Sequence, residues 1–184
     1  MIVIGVDEAG RGPLAGSVVA GAVILPDNFE LPGLTDSKRL SEKKRQSLYI
    51  SITEQCQWSV GESSAEEVDD INILQATMLA MERAVDNLAA EYDKVLVDGN
   101  RCPEIRDCFA IIKGDLSEPV ISAASIIAKV TRDMQMYELD KVYPGYGFAK
   151  HKGYGTSDHL KALADFGIII GQHRQSFAPV KRLI

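Results

Sequence analysis

Continuous apolar runs near the N-terminus give way to helical spacing further along, and that change of period defines the expected fold. Residues 2–7 are largely β-branched and unbroken, which predicts a buried strand. Residues 17–25 repeat the pattern after a short turn, so an antiparallel neighbour is expected. A loop spans Pro26 to Gly33, and Ser41 can cap a helix running to about Glu54 with Leu48, Tyr49 and Ile52 on its apolar side. A short third strand follows from Trp58. Ile73, Leu74, Met78, Met81, Ala84, Val85 and Leu88 then recur at helical spacing and predict a helix from Asn72 to Tyr92. Strands are expected at 94–98 and 109–113. Pro119 opens a long helix that Tyr143-Pro144 ends, and a last helix starts at Ser157 or Asp158 and stops near Gly167. The fold class is therefore α/β: a mixed five-stranded sheet flanked by helices, with residues 142–184 as a small helical and loop lobe of one 1–184 domain.

Composition narrows the class without naming a chemistry. A chain of 184 residues with 46% hydrophobic and 25% charged residues can bury a full core as a single globular domain. No apolar run is long enough for a membrane helix, and no basic region precedes a signal core. Cys56, Cys102 and Cys108 are odd in number and widely spaced, which favours free thiols and a cytoplasmic setting over a zinc site. The net charge of −6 hides a division. Residues 54–118 hold 15 acids and 5 bases, whereas residues 141–184 hold 7 bases and 2 acids. Such asymmetry can present a basic groove on an acidic protein, although a solvated helix and tail would show the same counts. The acidic 62–70 stretch is expected to be solvated surface.

The carboxylates change the picture. Asp7 and Glu8 end the first apolar run, Asp98 ends Val95-Leu96-Val97, and Asp115 follows Ala110-Ile111-Ile112-Lys113-Gly114. Ligands in open α/β sheets collect beyond the carboxyl ends of strands. Any one of these acids is equally at home starting a turn. Three acid-tipped strands in one small sheet favour Mg²⁺ or Mn²⁺ held by oxygen ligands, and two such ions can clamp the attacking and leaving oxygens at phosphorus. Gly10-Arg11-Gly12-Pro13 lacks the ending of a nucleotide phosphate loop and in isolation reads as a tight turn joining the first two strands, but its glycines let backbone approach a ligand closely. His151-Lys152-Gly153-Tyr154-Gly155-Thr156 combines base, aromatic ring and glycine as a sugar-stacking loop would, or as a loop with a packed tyrosine. His159 and His173 stand alone and are given no role.

Six blocks together carry a family resemblance: Asp7 through Gly16, Asp36-Ser37-Lys38, Val97-Asp98-Gly99, Lys113-Gly114-Asp115, Ser122 through Asp133, and His151 through Thr156. In order and content they resemble bacterial type 2 ribonuclease H (ribonuclease HII), across nearly the whole chain. The resemblance implies a ribonuclease H-like fold and endonucleolytic cleavage of the RNA strand in RNA–DNA hybrids. It also implies incision 5′ to single ribonucleotides embedded in duplex DNA, leaving 3′-OH and 5′-phosphate ends. Asp7, Glu8, Asp98 and Asp115 would bind two Mg²⁺ or Mn²⁺ ions; one would activate water and the other stabilise the departing 3′-oxygen. Gly10, Arg11 and Gly12 would grip the ribonucleotide and read its 2′-OH, Tyr154 would pack on the neighbouring sugar, and Lys38, Lys129 and Arg132 would contact phosphates. The implied partners are RNA–DNA hybrids and ribonucleotide-containing duplexes, met by a monomer with no membrane. Two rivals make different demands. A catalytically silent binding module would put four acids where they repel phosphate, and a nucleotide hydrolase would need a phosphate loop that the chain lacks.

Overall fold

The computed structural model describes all 184 residues, Met1–Ile184. Five strands form one sheet: β1 (Val3–Ala9), β2 (Val18–Ile24), β3 (Gln57–Ser63), β4 (Lys94–Asp98) and β5 (Cys108–Ile111), in the order β3-β2-β1-β4-β5. The expected mixed sheet is present. β1 pairs antiparallel with β2 and parallel with β4, while β2–β3 is antiparallel and β4–β5 parallel. The antiparallel pairs follow from short connections, whereas each parallel pair needs a longer crossover.

The sheet is covered on both faces. Helix α2 (Ala65–Leu88) packs on one, where Ile4, Val6, Ala20 and Val97 meet Ala76, Ala80, Met81 and Ala84 in the largest core cluster. Helices α1 (Glu42–Gln55) and α4 (Pro119–Val142) cover the other, with Val23 against Leu48, Ile52, Ala123, Ala124 and Ile127. Strand side chains alternate between faces, so Ile4, Val6 and Glu8 face α2, and Gly5 and Asp7 face α4. Small residues on α2 and α4 let the backbones come close. A methyl group added at Gly61 would lie 2.2 Å from the Ala80 carbonyl oxygen and 2.3 Å from the Ala84 nitrogen.

The largest departure from the expected elements is at α2. It begins seven residues earlier than the apolar spacing predicts, because Ser64 and Glu67 form a capping box. Asn72 then adopts φ 70° and kinks the helix, its Oδ1 accepting from the Leu74 and Gln75 amides to cap the second half. Left-handed Ala89 stops the helix short of Tyr92. The acidic 62–70 stretch is therefore not merely solvated. Glu67 also receives both Arg83 guanidinium nitrogens, at 2.9 and 2.7 Å, and Asp69 receives the Gln175 and Ser176 amides. β5 likewise ends at Ile111, and Gly114–Ser117 form the single-turn helix α3.

After α4 the chain forms α5 (Phe148–His151), α6 (Ser157–Phe166) and α7 (Ala178–Lys181). These pack on the loop after β1, with Ala15 against Tyr146 and Phe148, and Leu14 against Leu163 and Val180. No helix is long and apolar enough to cross a membrane. At the α2–β3 contact, Gly61→Ala is expected to destabilise the fold by about 2–3 kcal/mol through overpacking. Urea denaturation checks this, and an unchanged midpoint would show that the helix has room to move.

Candidate active site

The β1–β4 register brings the first acids together. Val6 pairs with Val97, so Asp7 and Asp98 follow side by side. Asp115 arrives from α3, in the first turn of that helix rather than on a strand end as the apolar run predicts; its amide donates to Asp98 Oδ1 at 3.4 Å. One carboxylate oxygen from each of Asp7, Asp98 and Asp115 lies within 4.8 Å of the others. Asp7 and Asp115 are buried. Burial raises the Asp7 pKa well above its ordinary value, and the charges of Glu8 and Asp98 raise it further. Burial raises that of Asp115 as well, with Asp98 adding to it. Oxygen donors packed this closely in a buried setting match a hard divalent cation in number and chemistry.

Glu8 stands outside this triad, because alternation along β1 turns its side chain toward α2. There it shares a hollow with Asp98, Met78 and Arg11, and Arg11 Nη1 lies 3.5 Å from its Oε1. Its pKa is raised mainly by burial, against the Arg11 charge.

A cleft of about 500 Å³ opens beside the acids. Glu8, Gly10, Arg11, Gly12, Lys38, Lys129, Arg132 and Tyr154 all line it, so residues far apart in the chain meet on one surface. Asp36 caps the short 3-10 turn carrying Lys38, its Oδ1 accepting from the Lys38 amide at 2.8 Å, and Ser125 of α4 accepts from the Ser37 amide. Burial works against the Lys38 charge, but Asp7, Asp36, Asp115 and Glu8 outweigh it and raise its pKa. Lys129 pairs with Asp133 at 2.6 Å. Tyr154 is half exposed, and a methyl group added at Gly12 would come within 3.3 Å of its ring.

Arg132 departs from the phosphate contact that the resemblance implies. Only 1% exposed, it donates to the carbonyls of Ser17 (3.1 Å), Lys152 (2.9 Å) and Ala15 (3.0 Å). Those bonds occupy the guanidinium inside the protein and tie the loop after β1 to the loop before α6. Gly10, at φ 95°, passes so close that a methyl group there would lie 2.1 Å from Arg132 Nε.

The three histidines, two of them given no role from sequence, form one buried cluster. The rings of His151 and His159 stack with centroids 4.3 Å apart, and His159 Nε2 lies 3.1 Å from His173 Nε2. Backbone donors fix the tautomers. His173 Nδ1 accepts from the Ile169 amide (2.8 Å), so its Nε2–H donates to His159, whose Nδ1–H donates to the Tyr154 carbonyl (2.9 Å). His151 Nδ1 accepts from the Gly153 amide, and its Nε2 donates to the Tyr146 carbonyl. The relay works only with neutral rings. Sequence could not reveal it, because the partners are backbone atoms of other segments.

Fold and acids together define a metal-dependent nuclease of the ribonuclease H-like fold. The family model for ribonuclease HII matches residues 4–180. Proteins named ribonuclease HII from Vibrio parahaemolyticus and Neisseria meningitidis are each 56% identical to this chain, covering all of it and 87% and 96% of their own lengths. The crystal structure of ribonuclease H2 from Pyrococcus horikoshii superposes with a TM-score of 0.81 at 27% identity, covering all of this chain and 97% of that one. The chain belongs to the ribonuclease HII family, and it is a metal-dependent ribonuclease of the type that cleaves the RNA strand of RNA–DNA hybrids.

Burial, aided by the nearby His159, pushes the His173 pKa down to about 4, and burial lowers that of His159 also. In the unfolded chain these rings take up protons near the ordinary value of 6.5. Their contribution to stability is thus full above that pH and declines as pH falls toward 4. NMR titration of the imidazoles should show His173 neutral at pH 6 with a midpoint near 4; an ordinary midpoint between 6 and 7 would contradict the relay.

Proposed function

We propose that this chain incises duplex DNA on the 5′ side of single embedded ribonucleotides, besides cleaving the RNA strand of hybrids, and leaves 3′-OH and 5′-phosphate ends. The observation that carries the reading is that Glu8, next to Asp7 of the aspartate triad on β1, lines the same cleft as Gly10, Arg11 and Gly12. A 2′-hydroxyl both donates and accepts hydrogen bonds and is absent from DNA, so a backbone turn beside the acids is suited to select ribose.

Asp7, Asp98 and Asp115 would hold Mg²⁺ or Mn²⁺, and Glu8, across β1, would complete the set for a second ion. When bound, the two ions supply an activated water and stabilise the departing 3′-oxygen. The remaining roles belong to side chains and backbone. Lys38 balances the acids and meets the phosphate beside the cleavage point. Lys129 contacts a neighbouring phosphate, and the Tyr154 ring packs on the sugar next to the ribonucleotide. Arg132 positions the loops rather than touching substrate. Residues 142–184 act as the basic substrate-binding lobe of one 1–184 catalytic domain, which works as a monomer in the cytoplasm.

The test is to map the cut in a duplex carrying one ribonucleotide, with Mg²⁺ and with Mn²⁺. A single incision immediately 5′ to the ribonucleotide is expected; cleavage restricted to continuous RNA tracts would overturn the reading. Asp7→Asn and Asp98→Asn should each lower the rate more than about a hundredfold, since even outer partners of a metal site carry about 10–100-fold. Duplex binding should persist in both variants.

A further inference from the structure

The underside of the glycine turn is closed by a segment from the other end of the chain. The Gly16 amide donates to the Gln172 carbonyl and the Arg174 amide to the Leu14 carbonyl, both at 2.8 Å, while Ala15 and His173 face each other as an antiparallel bridge. Asp69 on α2 anchors this segment by accepting from the Gln175 and Ser176 amides, each at 2.8 Å. The arrangement brings Arg174, fully buried, beneath residues 10–16.

Its guanidinium donates only to carbonyl oxygens. Nε reaches Gly16 at 3.1 Å, Nη1 reaches Arg11 at 2.9 Å and Pro13 at 2.8 Å, and Nη2 reaches Gly10 at 2.6 Å and Gly16 at 2.8 Å. No carboxylate bonds to it. Burial, reinforced by the nearby Arg132 charge, lowers its pKa to about 9. A buried charge is expensive unless its hydrogen bonds are met, and here four carbonyls of one short turn meet them.

The direction of those carbonyls has a consequence for substrate. In a trans peptide the carbonyl of one residue and the amide N–H of the next point in opposite directions, and the chain has no cis peptide bond. The Gly10 and Arg11 carbonyls point down at Arg174, so the amides of Arg11 and Gly12 point away from it. Both residues are exposed and line the cleft, and neither amide donates to another atom of the chain.

We infer that Arg174 is a positioning residue for ribose recognition: it locks two peptide planes so that the Arg11 and Gly12 amides stand as fixed, unpaired donors facing the ribonucleotide. The inference rests on the proposed reading that this turn senses the 2′-hydroxyl. Arg174 never touches substrate. It removes the freedom of the turn to present carbonyls instead of amides, so the donors need no rearrangement on binding.

The experiment compares affinity for a duplex with one ribonucleotide and for the same duplex in all-DNA form, by fluorescence anisotropy in Ca²⁺. Arg174→Lys keeps the charge but has three donors in place of five. It should bind the all-DNA duplex within about twofold of the native chain yet lose roughly tenfold of the ribose preference, as expected for losing one well-made hydrogen bond. A purely structural role would weaken both duplexes equally and leave the ratio unchanged. If native protein prefers ribose and folded Arg174→Lys shows the same ratio, the positioning role is overturned while ribose sensing stands. If native protein shows no preference, ribose sensing itself fails and the inference fails with it. Should Arg174→Lys not fold, Arg174→Gln, which keeps two donors without a buried charge, takes its place; a folded Arg174→Gln with undiminished preference overturns the inference equally.

Discussion

Repulsion among Asp7, Asp98 and Asp115 is the constraint on which the site depends. Their oxygens lie within 4.8 Å of one another at a buried sheet edge. Carboxylates so placed must take up protons, recruit a cation, or destabilise the fold around them. Burial and mutual charge raise the pKa values of Asp7 and Asp115, and the Lys38 charge works against that rise at both. A divalent ion answers the repulsion fully. Held together by the β1–β4 register, the three acids are therefore suited to a divalent metal.

Around that centre the protein places cations by two different rules. Lys38 and Lys129 line the open cleft, where their charge can meet phosphate. Arg132 and Arg174 are buried, bonding backbone carbonyls of residues 10–17 and of Lys152. A guanidinium can take several carbonyls at once because its donors are fixed in a plane. Two of them beneath one glycine-rich loop stiffen a segment that would otherwise have unusual freedom. The histidine relay likewise holds the carbonyl of Tyr154, whose ring lies beside Gly12.

Much of this was legible from residue pattern, and the exceptions share a cause. The five strands, α1, α4 and α6 follow from apolar runs, from Ser41 as a cap and from Pro119 as a helix start. The acids were visible because they sit where apolar runs stop. The early start of α2 was hidden because Ser64 and Glu67 stand in an acidic run whose buried apolar residues are only Ala65 and Val68. Asp115 looked like a strand end because Ile112 is apolar, although in the fold it is 74% exposed. Arg132 resembled a phosphate contact and Arg174 carried no motif, since sequence spacing gives no sign of bonds to distant carbonyls. Roles that depend on residue type were legible; roles that depend on backbone atoms brought from elsewhere were not.

The central claim is that these three aspartates share a divalent cation. The most direct measurement is an anomalous-scattering map from crystals of the protein soaked in Mn²⁺. A peak between the carboxylates of Asp7, Asp98 and Asp115, within bonding distance of an oxygen of each, is the predicted result. A map whose Mn²⁺ peaks all lie elsewhere, with the three side chains still together, would contradict the account.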